Sequence, residues 1–337
     1  MFSRVFLLAS VALLALSPIS AHPFHATWKE VRMVGLTQSA KRAAHAAELD
    51  LLGEGNKKFR ENIQASDPGL LKQLTDEGQA PPFMFIGCSD SRVSEGTVFN
   101  AKPGTFFTER NIANQFFATD ANAHSVMSYG ISELGVKHII VMGHYGCGGV
   151  AAAIASAPSA PIDAANGAVQ NWIDPIRAIF QTSTRPEIVE LREKNKLLAK
   201  VEEPEPQEPG FRALVEENVK ASVHRIATDS VIANHFAALA GNTTETLLKR
   251  AEGEPAGDVF IHGWVYDIEN GEIRDLGISV GPPGKEIPAA PFAAVESAAA
   301  QTEQKAEAPK VLAEESPKAR CESLCKAKRS LFGRSAM

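Results

Sequence analysis

Cys88, Asp90 and Arg92 stand two residues apart in GCSDSR (87–92), directly after the apolar run FMFI. His144 and Cys147 stand three apart in GHYGCGG (143–149), directly after HIIVM. Thiolate sulfur and imidazole nitrogen are the ligands that zinc takes in its tetrahedral sites. Three of them leave a fourth position for a water, a substrate or a carboxylate, and Asp90 is the carboxylate at hand. A metal with an open position lowers the pKa of a bound water, so that hydroxide is available near neutral pH. Arg92 adds a planar guanidinium that can grip Asp90 bidentately, keeping it ionised and fixing its direction. Held in this way, Asp90 can aim the nucleophile; released, it can swing onto the metal and displace the water.

Each piece by itself has an ordinary explanation. A single cysteine at a strand end is usually a small core hydrophobe, and a lone histidine is more often structural than ligating. What separates this chain from that background is two such clusters, each following an apolar run. Side chains alternate along an extended segment, so Cys88, Asp90 and Arg92 share one side, and the spacing of His144 and Cys147 at a helix entry lets both face one point. Ser89 and Ser91 are candidates to hydrogen-bond behind the ligands, and Gly148 and Gly149 allow either a turn or a close backbone approach.

The elements that must position these residues follow from the pattern of apolar runs. FMFIG (83–87), TFFTERN (105–111) and HIIVMG (138–143) read as buried parallel strands. Helices are expected over 37–52, 121–134, 169–180, 186–199, 211–225 and 227–240, with another opening at VAAAIA after GCGG, while 70–74 reads as a polar connection. Strands alternating with helices give an α/β fold, a mainly parallel central sheet flanked by helices. In such sheets ligands sit beyond the carboxyl ends of the strands, where both clusters fall. VEEPEPQEPG is a solvated loop, and VFIHGWVYDIENGEIRDL (259–276) carries a hairpin signal at the sheet edge.

The 337 residues suffice for one large domain or two ordinary ones, and the net charge of −6 gives no basic field for nucleic acid. Residues 1–21 have a basic Arg4, an apolar core and a small residue at Ala21, the pattern of a cleaved export signal. Residues 22–36 form a short N-terminal segment, 37–281 the functional domain, and 282–337 an Ala-, Glu-, Pro- and Lys-rich tail expected to be disordered. The mature protein is expected to be secreted and extracellular, with no membrane span after the signal is removed. Only four cysteines are present, Cys88, Cys147, Cys321 and Cys325, so the fold is not disulfide-stapled. A glycosylation sequon stands at Asn242.

CSDSRV (88–93), RNIAN (110–114), GHYGCGGV (143–150) and IHGWVYDIENGEIRDL (261–276) together resemble the beta-class carbonic anhydrases, as a secreted member. That resemblance implies a zinc lyase with one Zn2+ per subunit, interconverting carbon dioxide and water with bicarbonate and a proton through zinc-bound hydroxide. It makes Cys88, His144 and Cys147 the permanent ligands and Asp90 and Arg92 the catalytic dyad, with Asp90 able to become a fourth ligand at lower pH. It also implies a homodimer or a multiple of dimers. Of the three positions forming a second bicarbonate site in some bacterial members, here Phe85, Arg110 and His224, only the arginine is retained. Arg110 is therefore read as structuring the sheet end. Tyr145 and the phenylalanines 106, 107, 116 and 117 are read as core or dimer contacts. Two other readings stay open on the sequence: a carbon disulfide hydrolase on the same fold, and a secreted non-catalytic binding protein with Cys88 and Cys147 joined in a disulfide.

Overall fold

The computed structural model describes residues 38–240 and 257–295, with side chains from 47 onward. The export signal, Asn242, Cys321, Cys325 and most of the expected tail lie outside the described residues. The chain divides into two units after Leu70. In the first, helix α1 (Gln38–Ser66) runs well beyond the expected end at Leu52. Residues 56–64 are mostly good helix formers, so the glycines at 53 and 55 do not end it.

The second unit holds the sheet. Helix α2 (Leu70–Asp76) forms where a connection was expected, supported by side-chain pairs Lys72–Asp76 and Gln73–Glu77 one turn apart. Then follow β1 (Phe83–Cys88), α3 (Glu95–Val98), β2 (Phe106–Asn111), a single 3-10 turn (Ile112–Asn114), α4 (Ala121–Ser132), β3 (His138–His144) and α5 (Gly148–Ile154). The remainder is α6 (Ala164–Thr182), α7 (Pro186–Asn195), α8 (Pro209–Ala227), α9 (Ser230–Leu239), β4 (Phe260–Tyr266) and β5 (Ile273–Asp275). Capping sets several of these boundaries. Asp163 accepts from Asn166 N to start α6 earlier than the apolar pattern suggests, and Asp229 accepts from Val231 N to separate α8 from α9.

The strand order is β2-β1-β3-β4-β5, parallel except for the antiparallel edge strand β5. The chain leaves β1 to one side to form β2 and crosses to the other side to form β3. This reversal opens a crevice beyond the carboxyl ends of β1 and β3.

Alternation along β1 sends Met84 and Ile86 to one face, against Met127 and Ile131 of α4 and Val219 and Val223 of α8. Helix α8 comes close enough only because two strand positions lack side chains. A Cβ at Gly143 would lie 2.6 Å from Val219 Cγ2, and one at Gly263 would lie 3.2 Å from Val223 Cγ2. On the other face Phe85, Ile140, Met142 and Trp264 pack with Phe99, Phe106 and Phe292. The chain does not leave the sheet at Gly281. The Phe292 and Trp264 ring centroids are 4.9 Å apart, and Val295 N donates to Asp275 O at 2.9 Å. Apolar residues late in the segment, not its overall composition, hold it there. Among the described residues no helix is long and apolar enough to cross a membrane.

Candidate active site and metal centre

Cys88 ends β1, His144 ends β3 and Cys147 caps the N-terminus of α5, so three separate backbone positions converge at the mouth of the crevice. Their sulfur and nitrogen atoms lie within 4.8 Å of one another and all three residues are buried. The sulfurs of Cys88 and Cys147 are 3.9 Å apart, far from the bond length of about 2.0 Å that a disulfide needs, and both cysteines are free. The disulfide reading therefore has no support in the geometry.

His144 is fixed for metal binding by its other nitrogen. Nδ1 lies 3.0 Å from the carbonyl oxygen of Tyr145, which can only accept, so Nδ1 carries the proton and Nε2 keeps its lone pair. That Nε2 is buried without a hydrogen-bond partner. A buried, unpaired acceptor beside two thiols is costly unless a cation satisfies it. Soft sulfur and borderline nitrogen donors fit zinc, which is the fit the residues themselves make.

The two thiols do not ionise alike. Cys88 is pushed down to about 4, chiefly because Cys147 hydrogen-bonds its sulfur, against the opposing effect of burial. Cys147, beside that thiolate and fully enclosed, is pushed up.

Asp90 is clamped. Arg92 Nε donates to Asp90 Oδ1 at 2.9 Å, Arg92 Nη2 donates to Oδ2 at 2.6 Å, and the Arg92 backbone N–H adds a second bond to Oδ1 at 2.9 Å. Arg92 Nη2 also reaches Gly146 O at 3.3 Å, joining the clamp to the loop between His144 and Cys147. These bonds from Arg92 hold the Asp90 carboxyl down at about 2, against the opposing effect of burial. Asp90 Oδ2 is 3.8 Å from His144 Nε2, yet Asp90 is outside the three-residue ligand cluster. Both its oxygens are engaged, so ligation by Asp90 requires Arg92 to let go.

Residues read from the sequence as packing or scaffold turn out to hold these loops. Arg110 donates from Nε to Cys88 O at 3.0 Å and from Nη2 to Asp90 O at 2.7 Å, pinning the turn that carries both functional side chains. Tyr145, whose carbonyl orients His144, is itself anchored. Its hydroxyl donates to Glu216 Oε1 at 2.8 Å, Glu216 pairs with Arg185 at 2.6 Å, and the Arg212 guanidinium lies 3.4 Å above its ring. No local spacing marks Glu216, Arg185 or Arg212, which come from distant helices. Of the two glycines after Cys147, Gly149 serves close approach, since a Cβ there would lie 2.6 Å from Ile112 Cγ2, whereas Gly148 has open space. Among the described residues Ser89 is tied to the site by its backbone, its N–H donating to Asn111 O at 2.9 Å.

A donor set that supplies three ligands, with the nearest carboxylate restrained by an arginine, is that of a catalytic zinc site and not a closed structural one. The class is thus a zinc enzyme on an α/β scaffold. The carbonic anhydrase family model matches residues 83–273, which takes in every residue named at the site, and the chain belongs to that family. It is 31% identical over 229 residues to a carbonic anhydrase of Emericella nidulans, covering 68% of this chain and 83% of the relative. It is 30% identical over 225 residues to one of Candida albicans, covering 66% of each. Among solved structures, a tetrameric beta-carbonic anhydrase of Sordaria macrospora aligns with a TM-score of 0.52 at 26% identity, covering 69% of this chain and 99% of that one. The Coccomyxa beta-carbonic anhydrase in complex with acetazolamide aligns with a TM-score of 0.51 at 28% identity, covering 69% and 87%. The protein is a beta-type carbonic anhydrase, a zinc enzyme for the reversible hydration of carbon dioxide.

Proposed function

We propose that Cys88, His144 and Cys147 hold the zinc while Asp90, governed by Arg92, aims the nucleophile, in an exported and oligomeric carbonic anhydrase. The carrying observation is the juxtaposition of three converging ligand atoms with a carboxylate whose two oxygens are both engaged by one guanidinium. Zinc at these ligands supplies a water that ionises near neutral pH and a positive charge where the anionic product develops.

The chain's own residues supply the rest. A carboxyl held at about 2 is too weak a base to keep a proton at neutral pH. Asp90 therefore accepts a hydrogen bond from the reacting water and directs its lone pair, and the released proton passes on to solvent. Arg92 keeps Asp90 ionised and turned away from the ligand cluster. Since Asp90 does not titrate near neutrality, the activity profile should rise with pH through a single ionisation near about 7, that of the water. Stopped-flow carbon dioxide hydration by zinc-loaded protein measures this. A profile flat from acid to alkaline pH, or no hydration at all, refutes the scheme.

Exposed side chains of α1 support the assembly. Leu49, Leu51 and Leu52 are 68%, 73% and 71% exposed, a concentration of apolar surface that commonly marks a protein contact. We read it with the tetrameric Sordaria relative as favouring a homodimer or a multiple of dimers. Sedimentation equilibrium giving a monomer mass at micromolar concentration would remove that reading. Export rests on the leader-like residues 1–21. Protein recovered from the culture medium should begin after Ala21, and retention of Met1 in cell-associated protein refutes it.

A further inference from the structure

The turn that follows β2 is strained where nothing in the ligand set requires it. Ala113 has φ 62 and ψ 31, and Asn114 has φ 46, two successive non-glycine residues in the left-handed region. Such a conformation persists only when its surroundings over-determine it, and its usual purpose is to point a group somewhere.

The surroundings here are explicit. Trp172 of α6 donates from Nε1 to Ile112 O at 2.7 Å. Asn218 of α8 donates from Nδ2 to Ala113 O at 2.7 Å. Asn111 closes the turn on both sides, accepting from Gln115 N and donating to Gln115 O, each at 2.8 Å. Gln115 in turn donates from Nε2 to Trp172 O at 2.8 Å, so α6 grips the turn twice. Gly149 lets α5 press against Ile112 and Ala113 from a third side. The group this arrangement aims is the Ala113 backbone N–H, which donates to Cys88 Sγ at 3.4 Å.

We propose that the strained turn is a device that directs the Ala113 N–H onto the ligand sulfur of Cys88, with Asn218 and Trp172 as its positioning residues. An N–H donor stabilises negative charge on sulfur and so restrains the charge that the thiolate passes to the metal. A metal held by Cys88 would thereby keep more of its power to acidify water. Asn218 is 1% exposed, and among the described residues its side chain makes one hydrogen bond, from Nδ2 to this carbonyl, while its Oδ1 stays buried and unpaired. That is a large commitment for a polar side chain in the core, and it is accounted for if Ala113 must not move. The inference rests on the zinc reading of the site and adds to it a group outside the ligand set.

The test uses intact protein loaded with the NMR-active isotope of cadmium, which takes the same ligands. A scalar coupling between the Ala113 amide proton and cadmium, transmitted through Cys88 Sγ, is the expected signature. Asn218→Asp, which keeps the shape but removes the donor, and Trp172→Phe, which keeps the ring, should weaken or abolish that coupling. Both should also weaken zinc binding by about tenfold in chelator competition, as loss of a group behind a ligand does. Ser222→Ala, on the same helix but not bonded to the turn, should change neither. If Asn218→Asp fails to fold, Trp172→Phe decides alone. Metal bound by the unaltered protein without an Ala113 coupling overturns this inference only. Failure to bind metal overturns the zinc site and the inference together. Variants that lose thermal stability but keep both the coupling and the zinc affinity make Asn218 and Trp172 merely structural, which also overturns it.

Discussion

Arg92→Ala should retain zinc and lose about a hundredfold of the hydration rate, or more, the scale that misplacement of a reacting group costs. The arginine is outside the three-residue ligand cluster and its side chain is 54% exposed, so metal binding does not depend on it directly. What it controls is Asp90. Without the guanidinium the carboxylate loses two of its three bonds, is free to rotate toward the ligand cluster 3.8 Å away, and ceases to direct the nucleophile. Zinc content and hydration rate, measured on one preparation, separate this from simple metal loss. Full activity would take the dyad out of the mechanism.

The same variant has a signed effect on stability. Asp90 is held at about 2, chiefly by its hydrogen bonds from Arg92. A depressed carboxyl contributes stability above its unfolded pKa of about 3.9 and loses that contribution as pH falls through the folded value. Arg92→Ala should therefore be less stable than the parent in urea at neutral pH, and the two should converge as the pH is lowered toward about 2. A gap that widens in acid contradicts the assignment.

His144→Ala should abolish stoichiometric zinc and reduce hydration by roughly a thousandfold or more, because the metal's contribution of several kcal/mol to the transition state goes with it. The histidine is 1% exposed, and among the described residues its Nε2 has no hydrogen-bond partner. Deleting it leaves two thiols without the third donor. Zinc bound only to the folded state stabilises it by mass action, about 2.7 kcal/mol at a hundredfold excess over its dissociation constant. A strong chelator should thus lower the Tm of the parent protein reversibly, and should not change that of His144→Ala. Zinc retained at full occupancy in the variant would displace His144 from the site.

Local pattern was enough to find the groups that the fold brings together at the crevice. The apolar runs before GCSDSR and GHYGCGG, with two thiols and an imidazole beyond them, carried the strands, the crevice and the three ligands, because strand burial and ligand chemistry are both properties of residue type at short spacing. The two-residue step from Asp90 to Arg92 likewise made the clamp legible, since both partners lie on one turn. Helix extents were less legible. The apolar periodicity under-read α1 and α6, where helix propensity and an aspartate cap carry the helix past its apolar face. The segment after Gly281 read as tail by composition, yet Phe292 finds Trp264 across the sheet.

The sequence by itself thus determined the chemistry: a metal held by sulfur and nitrogen, and a carboxylate under the control of an arginine. Only the tertiary structure decided how those groups are held. Tyr145, whose carbonyl orients the adjacent His144, is anchored by Glu216 71 positions away; Arg110 pins the carbonyls of Cys88 and Asp90 from 22 and 20 positions away, and Asn218 holds Ala113 from 105 away. Contacts of that range leave no periodicity along the chain. They come into being only when parallel strands and their crossover helices bring the ends of β1, β2, β3 and the face of α8 to one crevice.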